Sequence, residues 1–421
     1  MSDRANKRLL LVASTTGYQT RVFADAARRL KLNLTLATDR CHILDDPWGD
    51  QAIPIRFEEP EASAKKMAAH GLDAIAAVGD RPALLAALAA ELAGVPFHPP
   101  SAVSAACSKF GTRTRLAQAG LPAPSFYRVP VEEDPASAAA KAAYPCVLKP
   151  LALSASRGVI RADNPQQFLD AFARIRTILD TADIRRLADD ADRWIQVETY
   201  IPGREFAVEA LLDHGRLQLL AIFDKPDPLD GPFFEETLYI TPSRAEPAVQ
   251  TALVDSLRRA VDALGLRHGP VHAEMRHNEQ GVWVLEAAPR PIGGLCARAL
   301  RFLPDMPLEE LILRHAIGED VSAARLRHAA SGVMMIPIPK PGVYSGVTGL
   351  EAARQVPGIE EVLITAKQGQ TIQPLPEASS YLGFLFASAA DPTQVEQALR
   401  QAHALLEFDI ALKLPLAAAF E

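Results

Sequence analysis

VHAEMRHNEQGVWVLEAAPRPIGG, residues 271–294, reads as two short strands, VHAEMR and VWVLEA, folded back about the polar tip His277-Asn278-Glu279-Gln280-Gly281. Side chains alternate along a strand, so His272, Glu274 and Arg276 share one face while Val271, Ala273 and Met275 share the other. Folding the second strand about the tip brings Glu286 within about one residue of cross-strand register with Glu274, where opposed Cβ atoms stand roughly 4.5–5.5 Å apart. Two carboxylates that close repel unless they share a cation or a proton. A Mg²⁺ ion, which takes oxygen ligands and also holds nucleotide phosphates, would serve as the cation. Four residues beyond Glu286 comes Arg290, a permanent planar donor fork suited to phosphate or carboxylate. A surface hairpin with two solvated glutamates has the same local signature, so the rest of the chain must decide.

The chain has 421 residues, room for about three domains. With 48% hydrophobic and 23% charged residues it is ordinary for a globular chain. A net charge of −7 and the lack of a basic run argue against a nucleic-acid surface, so any polyanion bound here is small. Cys41, Cys107, Cys146 and Cys296 lack CxxC or metal-finger spacing and read as reduced thiols of a cytoplasmic protein. The apolar run near the N-terminus is a first strand, too short for a signal segment, and no stretch approaches the roughly 20 apolar residues of a membrane span.

In order, Arg8 to Ala13, a loop Ser14-Thr15-Thr16-Gly17, a helix from Tyr18 to Leu30 and a strand from Leu32 to Ala37 form a βαβ opening. The pattern repeats with a strand from Asp73 to Val78, the loop Gly79-Asp80-Arg81-Pro82, a helix from Ala83 to Ala93, and Val95-Pro96. Pro99-Pro100 signals a linker, and a helix containing Lys109 and Arg113 stops at Gly120 and Pro122. Strands are expected from Tyr144 to Lys149, Trp194 to Glu198, Phe206 to Leu212 and Leu217 to Phe223. A helix from Pro165 to about Leu179 leads into a charged loop reaching Asp192, and Lys225 to Phe234 reads as a mobile connector. Leu253, Leu257, Val261 and Leu264 mark an amphipathic helix, and a smaller α+β unit closes the chain.

Lys149 leaves its strand just before the small-residue loop Leu153-Ser154-Ala155-Ser156-Arg157-Gly158-Val159, whose backbone N–H groups can approach an anion closely. No GxxxxGK[ST] loop or GxGxxG occurs. Glu198 and Glu205 bracket a Pro202-Gly203 turn, and such carboxylates can accept from a purine amine or ribose hydroxyls. A solvated lysine and strand-end salt bridges are the plainer readings of each motif alone. Likewise His272 reads more simply as a structural hydrogen-bonding residue than as a metal ligand.

Taken in order, Lys109, Arg113 and AGLPAP, then VLKP with its loop, VETYIPGREF, HAEMR and LEAAPRPIGG resemble the ATP-grasp superfamily over roughly residues 1–320. The segments FDKPDPLDGPFFEETLYITPS and PIPKPGVYSGVTG look most like the L-amino-acid ligases, which form dipeptides. The resemblance implies an N-terminal parallel α/β domain over 1–100, an ATP-grasp domain over 101–320 with a lid at about 144–205, and a C-terminal α+β domain over 321–421. It implies that Lys109, Lys149 and the less certain neighbour Lys225 contact ATP phosphates under a loop of Ser154, Ala155 and Ser156. Glu198, with backbone groups of Thr199 and Ile201, would take the adenine, and Glu205 the ribose. Glu274 and Glu286 would carry Mg²⁺ or Mn²⁺, while Arg290 and Lys149 would act in catalysis.

Glu236, matched to an acidic substrate contact and counted with the catalytic groups, would meet substrate with Tyr239, Arg290, Gly293 and Gly294. The partners implied are a small carboxylate and an amine, with a homodimer common among look-alikes. Three departures stand out: the loop has the single glycine Gly158, Ala288 stands where the superfamily usually has a metal-binding Asn, and Tyr239 stands where dipeptide-forming relatives often have His. The activity implied is an ATP-dependent carboxylate–amine ligation through an acyl phosphate. Competing readings are a biotin-carboxylase-like or purine-pathway enzyme, and an ATP-binding regulator without turnover.

Overall fold

The computed structural model describes residues 7–14, 19–39, 52–151, 153–185 and 189–412; Cys41 and residues 15–18 of the first expected loop and helix lie outside them. Arg8–Ala13, Asn33–Thr38, Ile53–Pro54 and Ala74–Val78 form a parallel sheet in which Arg8–Ala13 pairs with both Asn33–Thr38 and Ala74–Val78. Leu9 to Ala13 and the strand Ala74–Val78 are apolar on both faces because both are covered. Leu9 and Leu11 pack with Phe23 and Leu30 of the helix Thr20–Leu30. Leu10 and Val12 pack with Met67 and Ala83 of the helices Pro60–Ala68 and Asp80–Ala93.

Two prolines were misleading. The helix expected from Ala83 begins at Asp80, since a proline in the first turn lacks only an N–H that has no intrahelical partner there. Pro100, expected in a linker, opens the helix Pro100–Ala106 for the same reason, and Val95-Pro96 belongs to no strand.

A four-stranded antiparallel sheet follows, in the order Phe126–Pro130, Trp194–Thr199, Cys146–Pro150, Ile160–Ala162. The helix Pro165–Leu179, capped by the Asn164 side chain, buries Phe168, Phe172 and Ile175 against it. The stretch expected as a charged loop holds the short helices Ala182–Arg185 and Asp190–Arg193.

The central sheet has eight strands, in the order Gly281–Ala288, Gly269–Asn278, Arg204–Asp213, Arg216–Asp224, Leu238–Thr241, Ala330–Ile336, Gly383–Ala389, Ile359–Ile364. It runs on past residue 320, because Leu238–Thr241 pairs directly with Ala330–Ile336. Gly342–Thr348, Thr371–Ile372 and Glu407–Ala411 form a separate small sheet. One face of the central sheet presents Phe206, Val208, Ala210, Val271, Ala273 and Met275 to Leu253, Leu257, Val261 and Leu264 of the helix Pro247–Leu264. Alternation sends Glu205, Ala207, Glu209, His272, Glu274 and Arg276 to the other face.

The hairpin turns at Glu279-Gln280 with Asn278 opposite Gly281. Continued without interruption, that register would set Leu285 against Glu274 and send Glu286 to the opposite face. A bulge between Glu274 and Met275 on one strand, and Val284 and Glu286 on the other, absorbs Leu285 as the extra residue and places Glu286 directly opposite Glu274. Arg113 holds this bulge. It lies one turn after Lys109 in the helix Lys109–Gln118, whose cap Ser108 accepts from Gly111 N. The Arg113 Nη1 donates to the Val284 and Leu285 carbonyls at 3.2 and 2.8 Å, while Nε and Nη2 grip both oxygens of Glu198 at 2.8 and 3.2 Å. With Arg113 2% and Glu198 4% exposed, this pair joins the four-stranded antiparallel sheet to the hairpin in a buried setting.

Arg113→Ala would leave Glu198 without its bidentate partner and both bulge carbonyls without their donor. A loss of about 3–5 kcal/mol in urea unfolding is expected, and a loss below about 1 kcal/mol would show that the bulge stands without it. Burial alone would raise the Glu198 pKa, but Arg113 and Lys149 outweigh it and hold the group down to about 2, from an ordinary 4.5. Its stabilisation is therefore complete above pH 4.5 and lost as pH falls through about 2, on the order of 3 kcal/mol. Measured by urea unfolding at stepped pH, stability should fall more gently over that window in Glu198→Gln than in the parent chain.

Candidate active site

The charged face of the central sheet is built by cross-strand pairing. Opposite Glu205 stands Arg276, opposite Ala207 stands Glu274, and opposite Glu209 stands His272. The Arg276 Nε donates to Glu205 Oε2 at 2.8 Å, and its Nη1 donates to the Ile201 carbonyl at 2.6 Å. His272 Nδ1 pairs closely with Glu209, and its Nε2 lies 3.6 Å from Glu274 Oε1. Burial opposes charge on His272, yet Glu209 and Glu274 raise it to about 9, so the ring is cationic at neutral pH. Glu209 also accepts from Ile292 N at 3.3 Å, and Gln19 Nε2 donates to the Ile292 carbonyl at 2.6 Å. The loop after the hairpin is thereby pinned to the sheet.

Ala207, small and opposite Glu274, leaves room for Lys225. The Lys225 Nζ, buried, contacts Glu205 Oε1 at 2.8 Å, Glu274 Oε1 at 3.5 Å and Glu236 more closely, and sits 4.9 Å from the Tyr239 ring centroid. Burial disfavours its charge, but the three carboxylates raise its pKa well above the ordinary value. Burial and the neighbouring Glu274 raise Glu236 to about 7, whereas Glu274, despite burial, is held low by Lys225 and His272. Oxygen atoms of Glu205, Glu236 and Glu274 lie within 4.8 Å of one another. The connector is anchored: Arg276 also donates to the Leu229 carbonyl, and Arg161 N donates to the Pro232 carbonyl at 2.9 Å. Tyr239 is buried beneath this group.

Glu286 belongs to a neighbouring set. Arg290 Nη2 lies 3.7 Å from Glu286 Oε1, and its Nε donates to Asp80 Oδ1 at 2.6 Å, at the start of the helix Asp80–Ala93. Burial opposes the guanidinium charge but Asp80 and Glu286 raise its pKa further. Gly293 is exposed, its Cβ position 4.0 Å from Arg290 Nη1, and Gly294 has φ +59°, the left-handed conformation that favours glycine.

Lys149 Nζ sits 2.6 Å from Glu198 Oε2. Lys109 Nζ donates to the Leu153 carbonyl and feels Glu286, Asp80 and Glu198; burial lowers both lysines. Ser154 and Ala155 are exposed and Ser156 half-buried, the last two with φ of 51° and 56°. Gly158 N donates to the Pro376 carbonyl at 3.0 Å and Arg157 Nε to the Glu377 carbonyl at 2.8 Å, so the far end of the loop is docked. Thr199 is engaged with Ser125 through both its N–H and its hydroxyl. A cavity of about 520 Å³ lies apart from all these groups, between the helix Pro165–Leu179 and the connector, near Arg161, Arg174 and Phe233.

The expected residues thus fall into three adjoining sets: Lys109, Lys149 and Glu198; Glu286 and Arg290; and Glu205, Lys225, Glu236 and Glu274. Ion pairing already engages Glu198 and Glu205, the expected nucleotide contacts. Sequence reasoning gave no role to Arg113, Asp80 or Glu209. For Glu209 a signal existed, since acids at 205 and 209 alternate with the same period as His272, Glu274 and Arg276 and meet them across the ladder. For Asp80 it was only an acid just after a strand of a parallel sheet.

Residues 142–299 match the ATP-grasp domain family and residues 334–411 the L-amino acid ligase C-terminal domain 2. A crystal structure of an L-amino acid ligase from Bacillus licheniformis superposes over 97% of this chain and 100% of that one, with a TM-score of 0.79 and 26% identity. An uncharacterized protein of Sinorhizobium fredii is 23% identical over 75% of this chain and 64% of its own length. Alanine–anticapsin ligase of Bacillus subtilis is 26% identical over 43% of this chain and 40% of its own length. The chain thus spans under two thirds of these curated relatives. The chain thus carries an ATP-grasp domain over 142–299 and the L-amino acid ligase C-terminal domain 2 over 334–411, in a fold shared with an L-amino acid ligase.

Proposed function

We propose that the chain is an ATP-dependent carboxylate–amine ligase that joins an amino acid or related small carboxylate to an amino compound, releasing ADP and phosphate. The observation that carries this reading is Glu274 directly opposite Glu286 at the edge of the central sheet, with Arg290 against Glu286 and Lys225 against Glu274. A domain that only binds nucleotide has no need of that guanidinium. The match over 334–411 and the relative named for ligating alanine favour amino-acid chemistry over carboxylation.

The donor set suits Mg²⁺ or Mn²⁺, since it is all oxygen and gathers carboxylates around a buried ammonium that marks a place of cation preference. Glu274 and Glu286, with Glu236 beside them, would hold the ion, which would neutralise charge on the ATP phosphates. An oxygen of the substrate carboxylate attacks the γ-phosphorus, the bond to the β-phosphate oxygen breaks, and ADP leaves an acyl phosphate. Lys109 and Lys149 steady the transferring phosphoryl group, Lys149 by leaving Glu198 for it. Because Lys109 also holds the Leu153 carbonyl, its engagement couples phosphate to the loop above.

The amine then attacks the acyl carbon, phosphate departs, and the nitrogen loses its proton as the amide forms. Arg290, oriented by Asp80, faces the oxyanion of that step, and Glu236 contacts the amino substrate. The described cysteines Cys107, Cys146 and Cys296 are free thiols, in keeping with a cytoplasmic setting, and no described helix is long and apolar enough to cross a membrane.

With Mg²⁺ and ATP, amino acids offered pairwise should release ADP only when a carboxylic acid and an amine are both present. Release with bicarbonate alone would point instead to a carboxylase, and tight ATP binding with no release under any pairing to a regulator. Arg290→Ala should lower kcat by about 10²–10³-fold. Asp80→Asn, acting through Arg290, should lower kcat by roughly tenfold with little change in KM. If Arg290→Ala retained most activity, the guanidinium would have no part in the chemistry.

A further inference from the structure

A second cluster lies at the opposite end of the same strands, about six residues or roughly 20 Å along the sheet from Glu274. The strands Arg204–Asp213 and Arg216–Asp224 are joined by a tight turn that presents Asp213 and His214. Gly215 N donates to the Arg267 carbonyl at 2.7 Å, which brings the turn against His268 just before the strand Gly269–Asn278. His315, in the last turn of the helix Leu308–Ala316, stacks on His268 with ring centroids 4.3 Å apart, and His214 lies 4.8 Å from His268 on the same measure.

These rings are not paired as buried imidazoles should be. The His268 and His315 side chains are 8% and 6% exposed, yet neither nitrogen of His268 nor Nε2 of His315 has a hydrogen-bond partner among the described residues. Leaving such groups unmet costs about 1–3 kcal/mol apiece. Asp213 Oδ1 faces them at 3.7 Å from His268 Nδ1 and 3.9 Å from both His315 Nε2 and His214 Nε2, too far for hydrogen bonds. Ligand atoms of Asp213, His214 and His268 all lie within 4.8 Å of one another.

We propose that Asp213, His214 and His268, with His315 stacked on His268 beside them, form a binding site for a zinc-class divalent transition-metal ion. Two imidazoles and a carboxylate, with water to complete the tetrahedron, are a donor set for zinc rather than magnesium. Zinc–ligand bonds of about 2.0–2.1 Å in a tetrahedron put donor atoms about 3.3 Å apart, so the spacings from Asp213 Oδ1 to the imidazoles need to close by a few tenths of an ångström, and the exposed His214 at the turn supplies the larger adjustment.

The surroundings are built for it. His98, fully buried, accepts from the backbone N–H groups of Arg267 and His268 at 3.1 and 3.3 Å, and its Nε2 meets the Pro270 carbonyl at 3.2 Å, which fixes the backbone that carries His268. Arg216 lies 3.5 Å from Asp213 Oδ2 and leaves Oδ1 facing the rings. Asp213 and His214 are open to solvent and give an ion a way in. A bound ion would staple the hairpin tip to the start of the neighbouring strand.

The test uses the full chain, stripped with chelator and desalted, then titrated with Zn²⁺ against a chromophoric indicator and separately with Co²⁺. One tight equivalent of Zn²⁺, a four-coordinate Co²⁺ absorption spectrum and a rise in Tm with one equivalent of Zn²⁺ are expected. His214→Ala, at an exposed turn where folding is not at stake, and Asp213→Asn should each weaken Zn²⁺ binding roughly tenfold or more. Glu274→Gln should leave it unchanged, which separates this cluster from the carboxylates of the candidate active site. No stoichiometric Zn²⁺, or binding indifferent to His214→Ala and Asp213→Asn, would overturn the proposal and leave water as the partner of the buried nitrogens.

Discussion

Charge taken out of water must be answered by charge. On the inner face of the central sheet, Glu205, Glu209, Lys225, His272 and Arg276 are all buried within three neighbouring strands. An isolated ion there would cost several kcal/mol, and the geometry answers each one across the ladder rather than along the chain. The alternation of acid, small residue and acid at 205, 207 and 209 against His, Glu and Arg at 272, 274 and 276 is what fixes the register. A slip of one residue would bring that charged row against the apolar face that packs on the helix Pro247–Leu264.

The same constraint explains what could be read from the residues and what could not. The hairpin, its charged face and the nearness of Glu286 to Glu274 follow from a period of two and a polar tip, which are local facts. The bulge at Leu285 is not local. Nothing in VWVLEA marks one residue as extra, and the bulge is supported by Arg113, which lies about 170 positions upstream and looks like any helical arginine. Asp80 is legible as an acid after a strand, but its bond to Arg290 spans two sheets. The run of the central sheet past residue 320 was equally hidden, because the pairing of Leu238–Thr241 with Ala330–Ile336 joins two short apolar segments whose partner no pattern names. The prolines at 82 and 100 misled for the converse reason: a strong local rule, that proline breaks helices, has an exception in the first turn.

The ion pairs that satisfy the fold also set the terms on which a ligand enters. Glu198 has Lys149 and both arms of Arg113, and Glu205 has Lys225 and Arg276, so nucleotide contact at either carboxylate must share or exchange an existing partner. Exchange is cheap where a second cation stays behind. If Lys149 moves from Glu198 to a phosphate, Arg113 still neutralises the carboxylate, and the four-stranded sheet stays joined to the hairpin. Arg113 is then the fixed member of the pair and Lys149 the mobile one, a division that matches their burial, with Arg113 the more enclosed.

Lys225 is the corresponding case on the other side. Its ammonium lies among Glu205, Glu236 and Glu274; with Arg276 on Glu205 and His272 between Glu209 and Glu274 the face sets three cations against four carboxylates, and burial together with Glu274 raises the Glu236 pKa. A divalent ion arriving beside Glu274 would relieve that shortage rather than compete with it, because added positive charge favours the ionised form of Glu236. Burial and surplus negative charge thus leave the site short of cation before anything binds. Arg290 is held apart from this shortage by Asp80, whose bond to Nε keeps the guanidinium beside Glu286 instead of letting it fold into the carboxylates as a counter-ion. The acid on the helix Asp80–Ala93 therefore keeps one positive group at the rim while the sheet face still calls for another.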